Sequence, residues 1–266
     1  MEIPKVDPQT HKSEWTYQNK KHEPLGTFWI ARYPVTHAQY HAFLEAKDGF
    51  ANPEWWHDLT APEEDRKRPG EQRFPYWNHP AECVSWYDAI AFCRWLTAKA
   101  KTQVEVKAEG WEKLLPSELA RGQGWKITLP TEWQWEKAAR GHDGREFPWG
   151  KEYVSGNANI DETYGSSKVG LHYLQKTSAV GMYPYEKPEE SPYGVADLSG
   201  NVWEWCLNEY EQPNNTSEGG SETRVLRGGS WYEHVGVAAA SFRDRDDPFD
   251  RGIFIGFRVV AVSASP

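Results

Sequence analysis

The abundance of aromatic residues is the feature that most constrains how this chain can fold. There are 15 Trp, 13 Tyr and 10 Phe among 266 residues, and 22 Gly and 18 Pro recur between them. Large rings bury much area, and a buried indole N–H needs an acceptor, whereas Gly and Pro favour turns over long regular elements. These residues predict a compact fold that is rich in irregular backbone.

Composition and charge exclude several classes of protein. Hydrophobic residues make up 38% of the chain and charged residues 26%, which is typical of a globular protein. Acidic residues outnumber basic ones by 39 to 30, which argues against a nucleic-acid partner. No apolar run approaches the roughly 20 residues of a membrane span, and residues 1–14 are polar. We therefore expect no membrane span and a cytoplasmic location, with export by another route left open.

Cysteine and histidine suggest no metal centre. Cys83, Cys93 and Cys206 form no C-x-x-C motif and cannot all pair with one another, so we expect buried thiols. His37 and His41 are the only histidines four residues apart. Of the two interpretations of that pair, a polar helix face or two metal ligands, the first is favoured.

Capping residues and periodicity predict the order of the elements. Capping boxes at Thr36–Gln39 and Thr131–Gln134 begin two of the helices, and Gly141 suits the left-handed position after the last one. We expect residues 104–123 to contain a short helix of their own. Residues 147–201 are expected to form long ordered loops. The predicted helices are 37–46, 86–101 and 132–140, and the predicted strands are 24–31, 202–206, 224–228 and 256–260.

No repeat or low-complexity linker divides the chain. The sequence therefore predicts an N-terminal arm over residues 1–23 and a single domain over 24–266, with helices early and strands and loops late.

Several motifs, in order along nearly the whole chain, resemble the formylglycine-generating enzyme (sulfatase-modifying factor) family. The resemblance implies an α+β, C-type lectin-like fold of the formylglycine-generating enzyme subtype, with much irregular loop structure. The motifs are F-W-I-A-R-Y-P-V-T at 28–36, V-S-W-Y-D-A at 84–89, L-P-T-E-W-Q-W-E at 129–136, F-P-W-G at 147–150, Y-G-V-A-D-L-S-G-N-V-W-E-W at 193–205, R-G-G-S-W at 227–231 and G-F-R at 256–258.

The same resemblance argues against catalysis. In oxidase members of the family two cysteines bind copper, and the matching positions here are Glu233 and Ala238, neither of which can replace a thiolate. The related iron-dependent sulfoxide synthases join this fold to a helical domain with metal-binding histidines, and these 266 residues contain no such domain. We expect a protein that is not an enzyme and requires no cofactor. The alternative is a metal-dependent oxidase or sulfoxide synthase relative.

A structural calcium ion is a further implication of the resemblance. Asn159 and the carbonyl of Ile160 match one calcium site of the family, and Asn201 and Glu204 match part of another. Oxygen ligands of this kind suit a hard cation. In the competing interpretation, Asn201 stabilises a turn and Glu204 neutralises an arginine.

The last part of the domain, residues 224–260, resembles the variable region of the variable proteins of diversity-generating retroelements. In those systems errors at template adenines diversify a binding face on a stable lectin-like scaffold. An AAY codon altered at its adenines reaches many residue types, but not Glu, so Glu233 needs another template codon or is constant. The contact residues predicted here are Tyr232, Glu233, His234, Gly236, Val237, Phe242, Asp244, Asp246, Asp247, Phe249, Asp250, Gly252, Ile253 and Phe254.

The chemistry of these residues suits recognition. Phe249, Ile253 and Phe254 lie in a Gly- and Asp-rich stretch without helical or strand period, which favours an exposed aromatic and acidic patch. Trp231 is expected to form the floor of that patch, and the neighbouring arginines to hold the loops. The sequence thus predicts a noncatalytic binder of an unknown protein or surface ligand, of unknown oligomeric state.

Overall fold

The computed structural model describes residues 25–105, 124–183 and 192–263, together with three short strands nearer the N-terminus. Its helices are α1 (His37–Glu45), α2 (Glu63–Lys67), α3 (Trp86–Glu105) and α4 (Glu132–Arg140). Its strands are β1 (Lys5–Val6), β2 (Trp15–Tyr17), β3 (Lys20–His22), β4 (Phe28–Ile30), β5 (Trp125–Thr128), β6 (Trp203–Glu209), β7 (Arg224–Arg227), β8 (Arg243–Asp246), β9 (Ile255–Gly256) and β10 (Val260–Ser263).

Two four-stranded sheets organise the described residues. The first has the order β1-β4-β10-β5, and each of its pairings is antiparallel. The second has the order β8-β7-β6-β9, in which β9 runs parallel to β6 and the other pairs are antiparallel. Strands β2 and β3 form a separate two-stranded ribbon. The C-terminal part of the chain therefore contributes to both large sheets.

Both predicted capping boxes are confirmed. The Thr36 hydroxyl accepts from the Gln39 main-chain N–H at 3.3 Å, and the Gln39 side chain accepts from the Thr36 N–H at 2.9 Å. Thr131 and Gln134 make the same exchange before α4. Gly141 has the expected positive φ, 63°, after α4. Local hydrogen bonding thus begins α1 and α4 where the sequence predicted it.

Helix α3 lies at the centre of the aromatic core. Trp86 and Trp205 are fully buried, and each indole N–H finds a main-chain acceptor in a distant segment. Trp86 donates to the carbonyl of Cys206 at 2.9 Å, and Trp205 donates to the carbonyl of Val84 at 2.8 Å. This reciprocal pair of bonds joins α3 to β6. Separation of the two elements would leave both buried indole N–H groups without acceptors, which costs stability.

Some predicted elements need correction. Residues 256–260 do not form one strand, because β9 and β10 belong to different sheets and the chain crosses between them at Phe257 and Arg258. Strands β5 and β8 and the short helix α2 were not predicted. Within 147–201, as far as it is described, the regular structure is a 3-10 turn at Gly165–Ser167, in agreement with the predicted loops. The helix expected within 104–123 lies almost entirely outside the described residues.

The N-terminal arm contains paired backbone. Lys5 lies opposite Trp29 and Val6 opposite Phe28, so β1 extends the first sheet. Among the helices that the structure describes, none combines the length and apolar character needed to cross a membrane.

Buried ion pairs hold the second sheet to its surroundings. Glu204 on β6 accepts from Arg258 at 2.5 and 2.6 Å and from the Trp135 indole at 2.6 Å. Glu136 on α4 accepts from Arg227 on β7 at 2.5 Å. Because an unpaired buried charge is strongly destabilising, these contacts fix where β6, β7 and the C-terminal segment lie.

Candidate binding surface

Strand β8 separates its charges by sign. Arg243 and Arg245 both lie over the ring of Tyr210, at 4.1 and 4.6 Å from its centroid. Side chains alternate between the faces of a strand, so Asp244 and Asp246 project from the opposite face. Asp244 is exposed and Asp246 half-buried. The acidic side chains of β8 therefore project away from Tyr210 and the two arginines.

An aromatic cluster lies on that same face of the sheet. Asp244 is in register with Leu226, and Leu226 with Trp205, which places Trp203, two residues before Trp205, on the face of Asp244. The ring of Phe242 lies 6.2 Å from that of the buried Trp203, and its side chain remains 37% exposed. Trp203 thus supports an exposed phenyl ring beside a carboxylate.

Glu233 joins this cluster through Trp203. The Trp203 indole donates to the Glu233 carboxyl group, which is half-buried. Burial is the largest cause that raises the pKa of Glu233, and the negative charge of Asp244 adds to it. Glu233 and Asp244 are therefore close enough to repel each other electrostatically.

Trp231 forms the floor for a second group of exposed side chains, as predicted. Its buried ring meets Tyr232 edge to face at 5.5 Å, and Tyr232 stacks on Phe254 at 6.5 Å. The Trp231 indole donates to the carbonyl of Ile253 at 3.3 Å. The Phe254 carbonyl accepts from the Trp203 N–H at 2.8 Å, which connects this group to the first.

The turn after β8 is anchored from inside and carries acids outside. Pro248 accepts from the Trp86 N–H at 3.0 Å, and Arg251 pairs with Asp88 at 2.8 Å. The side chains of Asp246 and Asp250 share a hydrogen bond. Burial, followed by that hydrogen bond and the repulsion from Asp250, raises the pKa of Asp246 to about 6. These two carboxyl groups continue the acidic edge of β8.

The contacts above bring eight predicted residues into one connected patch, which we call the C-terminal surface. Four other predicted residues flank it: Asp247, Phe249 and Gly252 occupy the turn, and Val237 packs partly on the core. The members of the C-terminal surface are Tyr232, Glu233, Phe242, Asp244, Asp246, Asp250, Ile253 and Phe254.

His234 and Gly236 were predicted as contact residues, but they lie apart from the C-terminal surface. His234 accepts from the Gly236 N–H at 3.0 Å as the cap of a 3-10 turn, Val235–Ala238. The ring of His234 lies 5.3 Å from that of Tyr164. The structure therefore places these two residues beside the 164–176 loop and not in the aromatic cluster around Trp203.

Aromatic residues from earlier segments border the C-terminal surface and were not predicted. The ring of Phe74 lies 5.7 Å from Trp231. Burial, followed by the nearby Asp161 and Tyr232, raises the pKa of Tyr173. Trp203, at the start of β6, also belongs to this border. The segments that these aromatic residues meet are set by the tertiary fold.

The proposed calcium ligands divide into two cases. Glu204 does not fit a calcium role, because its carboxylate is bonded to Arg258 and the Trp135 indole. Asn201, at a positive φ of 69°, accepts from the Ser178 N–H at 2.9 Å, which agrees with the turn interpretation. These contacts disfavour calcium at Asn201 and Glu204, where it stays a prediction.

Asn159 and Ile160, the first predicted calcium site, have one feature that suits a cation. The Asn159 side-chain oxygen is buried without a hydrogen-bond partner, so it retains a free acceptor. The Ile160 side chain packs against Ala158 and Ala238 in a small apolar cluster. Calcium at Asn159 and the Ile160 carbonyl stays a prediction. Among the described residues, no three His, Cys, Asp or Glu side chains are grouped so that they could hold a metal ion.

Cysteine and histidine lie in settings that favour structural roles. The three cysteines are buried and free, as predicted. Burial raises the pKa of Cys206 well above its ordinary value and that of Cys83 to about 12, which disfavours reactive thiolates. His37 and His41 both pack on the ring of Trp77, at 5.2 and 5.1 Å. His37 is buried, so the expected polar helix face is wrong for that residue, whereas His41 is half-buried.

The arrangement of the two sheets and the irregular C-terminal loops defines the class of the protein. It has the α+β, C-type lectin-like fold of the formylglycine-generating enzyme type that the motifs predicted. The solved structure of Treponema denticola variable protein 1 matches with a TM-score of 0.62 and 21% sequence identity, covering 99% of this chain and 95% of that one. At this identity the match concerns the fold.

Residues 7–262 match the sulfatase-modifying factor enzyme 1-like domain, and the chain belongs to that family. YfmG of Bacillus subtilis (strain 168) is 30% identical over 261 residues, which cover 89% of this chain and 46% of YfmG. Hercynine oxygenase of Mycolicibacterium thermoresistibile is 28% identical over 261 residues, which cover 87% of this chain and 50% of that protein. The chain thus spans about half the length of these relatives.

Proposed function

We propose that this protein is a noncatalytic variable protein of a diversity-generating retroelement, which recognises a protein or surface ligand through exchangeable residues. The supporting observation is an alternation along residues 227–258. None of the predicted contact residues is buried, whereas Pro248 and the stretches 227–231, 238–240 and 255–258 are. The buried frame residues include Arg227, Ser230, Trp231, Ile255, Phe257 and Arg258.

This alternation is what diversification requires physically. Substitutions at exposed positions usually change stability by less than about 0.5 kcal/mol, whereas truncation of a buried aromatic costs about 3–5 kcal/mol. Diversity at Tyr232 or Phe242 is therefore tolerated, and diversity at Trp231 or Phe257 is not. A binding face of this kind can change its ligand and keep its fold.

The scaffold also prepares the surface for binding. Main-chain bonds from Cys83 to Gly252 and from Trp86 to Pro248, each 3.0 Å, hold the last loops before any ligand arrives. Ordered loops lose little conformational entropy on association, and exposed aromatics supply most of the binding energy in typical interfaces. The fold shared with Treponema denticola variable protein 1 agrees with this proposal.

A pair of libraries tests the tolerance of the surface. In one library Tyr232, Phe242, Phe249 and Ile253 are replaced by residues reachable from an AAY codon; in the control library Trp231, Ile255 and Phe257 receive the same residues. We expect most surface variants to keep a Tm within about 5 °C of the parent, and most control variants to unfold. A surface library that unfolds as often as the control contradicts the proposal.

The genetic part of the proposal has its own test. Sequencing of the DNA beside the gene should find a near copy of the segment that encodes residues 224–260, with mismatches at adenines, next to a reverse transcriptase gene. If no such copy exists, the protein is a lectin-like binder without diversification.

A metal- or thiol-dependent enzyme is the second candidate, favoured by the 28% identity to a hercynine oxygenase. It predicts near-stoichiometric iron or copper in the purified protein and a turnover that depends on a thiol. Metal analysis, together with an oxygen-consumption assay of the parent and of Cys206→Ser, distinguishes the two. Turnover that is lost with the thiol contradicts a noncatalytic role.

A further inference from the structure

The arginines around the C-terminal surface are used by the scaffold. Five of these arginines each form a salt bridge with an acid outside residues 232–254. Arg224 donates to the carbonyls of Leu207 and Ser217 at 3.0 Å. The five paired arginines are thus matched with acids other than those of the surface, whereas Arg224, in register with Asp246, gives its N–H groups to main-chain carbonyls. The pairs are Arg227–Glu136, Arg243–Glu132, Arg245–Glu211, Arg251–Asp88 and Arg258–Glu204, with N···O distances of 2.5–2.8 Å.

The acids of this region differ from the arginines in their pairing. In the parts of the chain that the structure describes, none of them forms a salt bridge with a lysine or arginine, although the His234 ring lies beside Glu233. Unpaired like charges at short range raise the free energy of the unbound surface. These acids are Glu233, Asp244, Asp246, Asp247 and Asp250.

Aromatic side chains alternate with these acids along the surface. Tyr232 precedes Glu233, Phe242 lies two residues before Asp244, and Phe249 precedes Asp250, with the three rings 53%, 37% and 44% exposed. An aromatic face beside a carboxylate suits a cationic side chain, whose alkyl stem covers the ring while its charged head reaches the acid. The pattern thus points to one ligand chemistry.

We propose that the ligand of the C-terminal surface is a basic polypeptide segment, whose lysine or arginine side chains pair with these acids while their stems and neighbouring apolar groups cover the aromatic rings. The inference rests on the proposed function and adds the class of partner to it. A nucleic acid or acidic polysaccharide would bring negative charge against the same carboxylates, and an uncharged sugar would leave them unpaired.

Binding of a defined cationic probe tests the inference. The probe is a random lysine–tyrosine copolymer immobilised on a sensor surface, and a glutamate–tyrosine copolymer serves as the oppositely charged reference. We expect the protein to bind the first and not the second, and an increase from about 50 mM to about 500 mM NaCl to weaken the binding, because salt screens exposed charges.

A matched pair of variants separates this surface from the general acidity of the chain. Asp244→Asn, Asp246→Asn and Asp250→Asn together remove three charges and keep the side-chain oxygens that accept main-chain bonds. Glu45→Gln, Glu54→Gln and Glu152→Gln together remove three charges from exposed positions on other elements. We expect at least about tenfold weaker binding in the first variant and little change in the second.

The outcomes distinguish the inference from the proposed function. Equal weakening by both triple variants, or no binding of the cationic probe by the parent, overturns the basic-ligand inference. A third variant, Tyr232→Ser with Phe242→Ser, keeps all the acids. If it loses the probe while the Asp→Asn variant retains it, the surface is a binding face and the charge argument is wrong. If none of the three variants changes binding, the probe binds elsewhere and the inference also fails.

Discussion

Two sets of acids around the C-terminal sheet use charge in opposite ways. The inner acids, Glu136 and Glu204, are fully buried, and each is bonded to an arginine at 2.5 Å. The outer acids, Asp244 and Asp246 on the edge strand β8, have no such partner among the described residues, although β8 pairs directly with β7. The same short segment of chain thus supplies both a paired interior and an unpaired surface.

The difference separates the residues that specify the fold from those whose identity the fold does not fix. A buried charge is tolerated only with its partner, so the inner pairs specify one arrangement of β6, β7 and the loops. An exposed charge is solvated in either case, so its identity matters little for folding and much for what it attracts. The buried pairs therefore specify the fold, and the exposed acids set the charge of the surface.

Glu204→Ala should have the largest effect, because it leaves Arg258 buried without a counter-charge and the Trp135 indole without its acceptor. We expect a loss of about 3–5 kcal/mol in the free energy of unfolding, measured by urea denaturation. Asp244→Ala, at an exposed position of the C-terminal surface, is the control and should cost under about 1 kcal/mol. Equal losses would mean that the inner and outer acids are equivalent.

Removal of the Arg258 charge sharpens the same test. The double variant Glu204→Leu with Arg258→Met contains no unpaired buried charge, so it should recover part of the stability that Glu204→Ala loses. No recovery would show that packing, and not charge, accounts for the loss.

Trp231 and Tyr232 offer a comparison between adjacent aromatic residues. Trp231 is 5% exposed and Tyr232 is 53% exposed. Trp231→Ala should cost about 3 kcal/mol or more, whereas Tyr232→Ala should change stability by about 0.5 kcal/mol, as measured by thermal unfolding. A large loss in both variants would contradict the division into floor and surface.

The smallest expected effect is the pH dependence from Asp246. Its pKa of about 6 exceeds its ordinary value of 3.8, so the native state binds this proton more tightly than the unfolded state does. Its contribution to stability is therefore present below about pH 4 and lost as the pH rises through about 6. The groups that face it are Asp247 and Asp250 in the turn and Arg224 opposite on β7.

Asp246→Asn should remove that dependence and slightly stabilise the protein at neutral pH, by less than about 1 kcal/mol because solvent screens this half-exposed group. Urea denaturation from about pH 4 to about pH 8 measures it. Asp244→Asn serves as the control. A parent whose stability does not fall across this range would contradict the prediction.

Local signals explain why part of the fold was predictable. Thr36 and Thr131 cap their helices through hydrogen bonds that span three residues. Gly141 ends α4 with a positive φ, which glycine adopts without help from distant contacts. The missed strand β8 also carried a local signal. Arg and Asp alternate along β8 with the two-residue period of a strand. The strand was missed because it contains no apolar residue, and strands are predicted from the alternation of apolar and polar residues.

Other features depended on contacts between distant residues. The crossing at Phe257–Arg258 follows from the bond of Arg258 to Glu204, 54 residues away, and no local pattern announces it. The same bond decides that Glu204 neutralises an arginine and does not fit a calcium site. For the binding surface, the sequence predicted which residues take part, but Phe74, Tyr173 and Trp203 were found only through their contacts.

By itself, the sequence determined the family frame and the helix starts, because these depend on residue types and short spacings. The tertiary structure alone decided which side of β8 faces solvent, which acids received arginine partners and which were left unpaired. Burial is a property of the whole packed chain, and the energetic role of a charge is set by its burial and its neighbours.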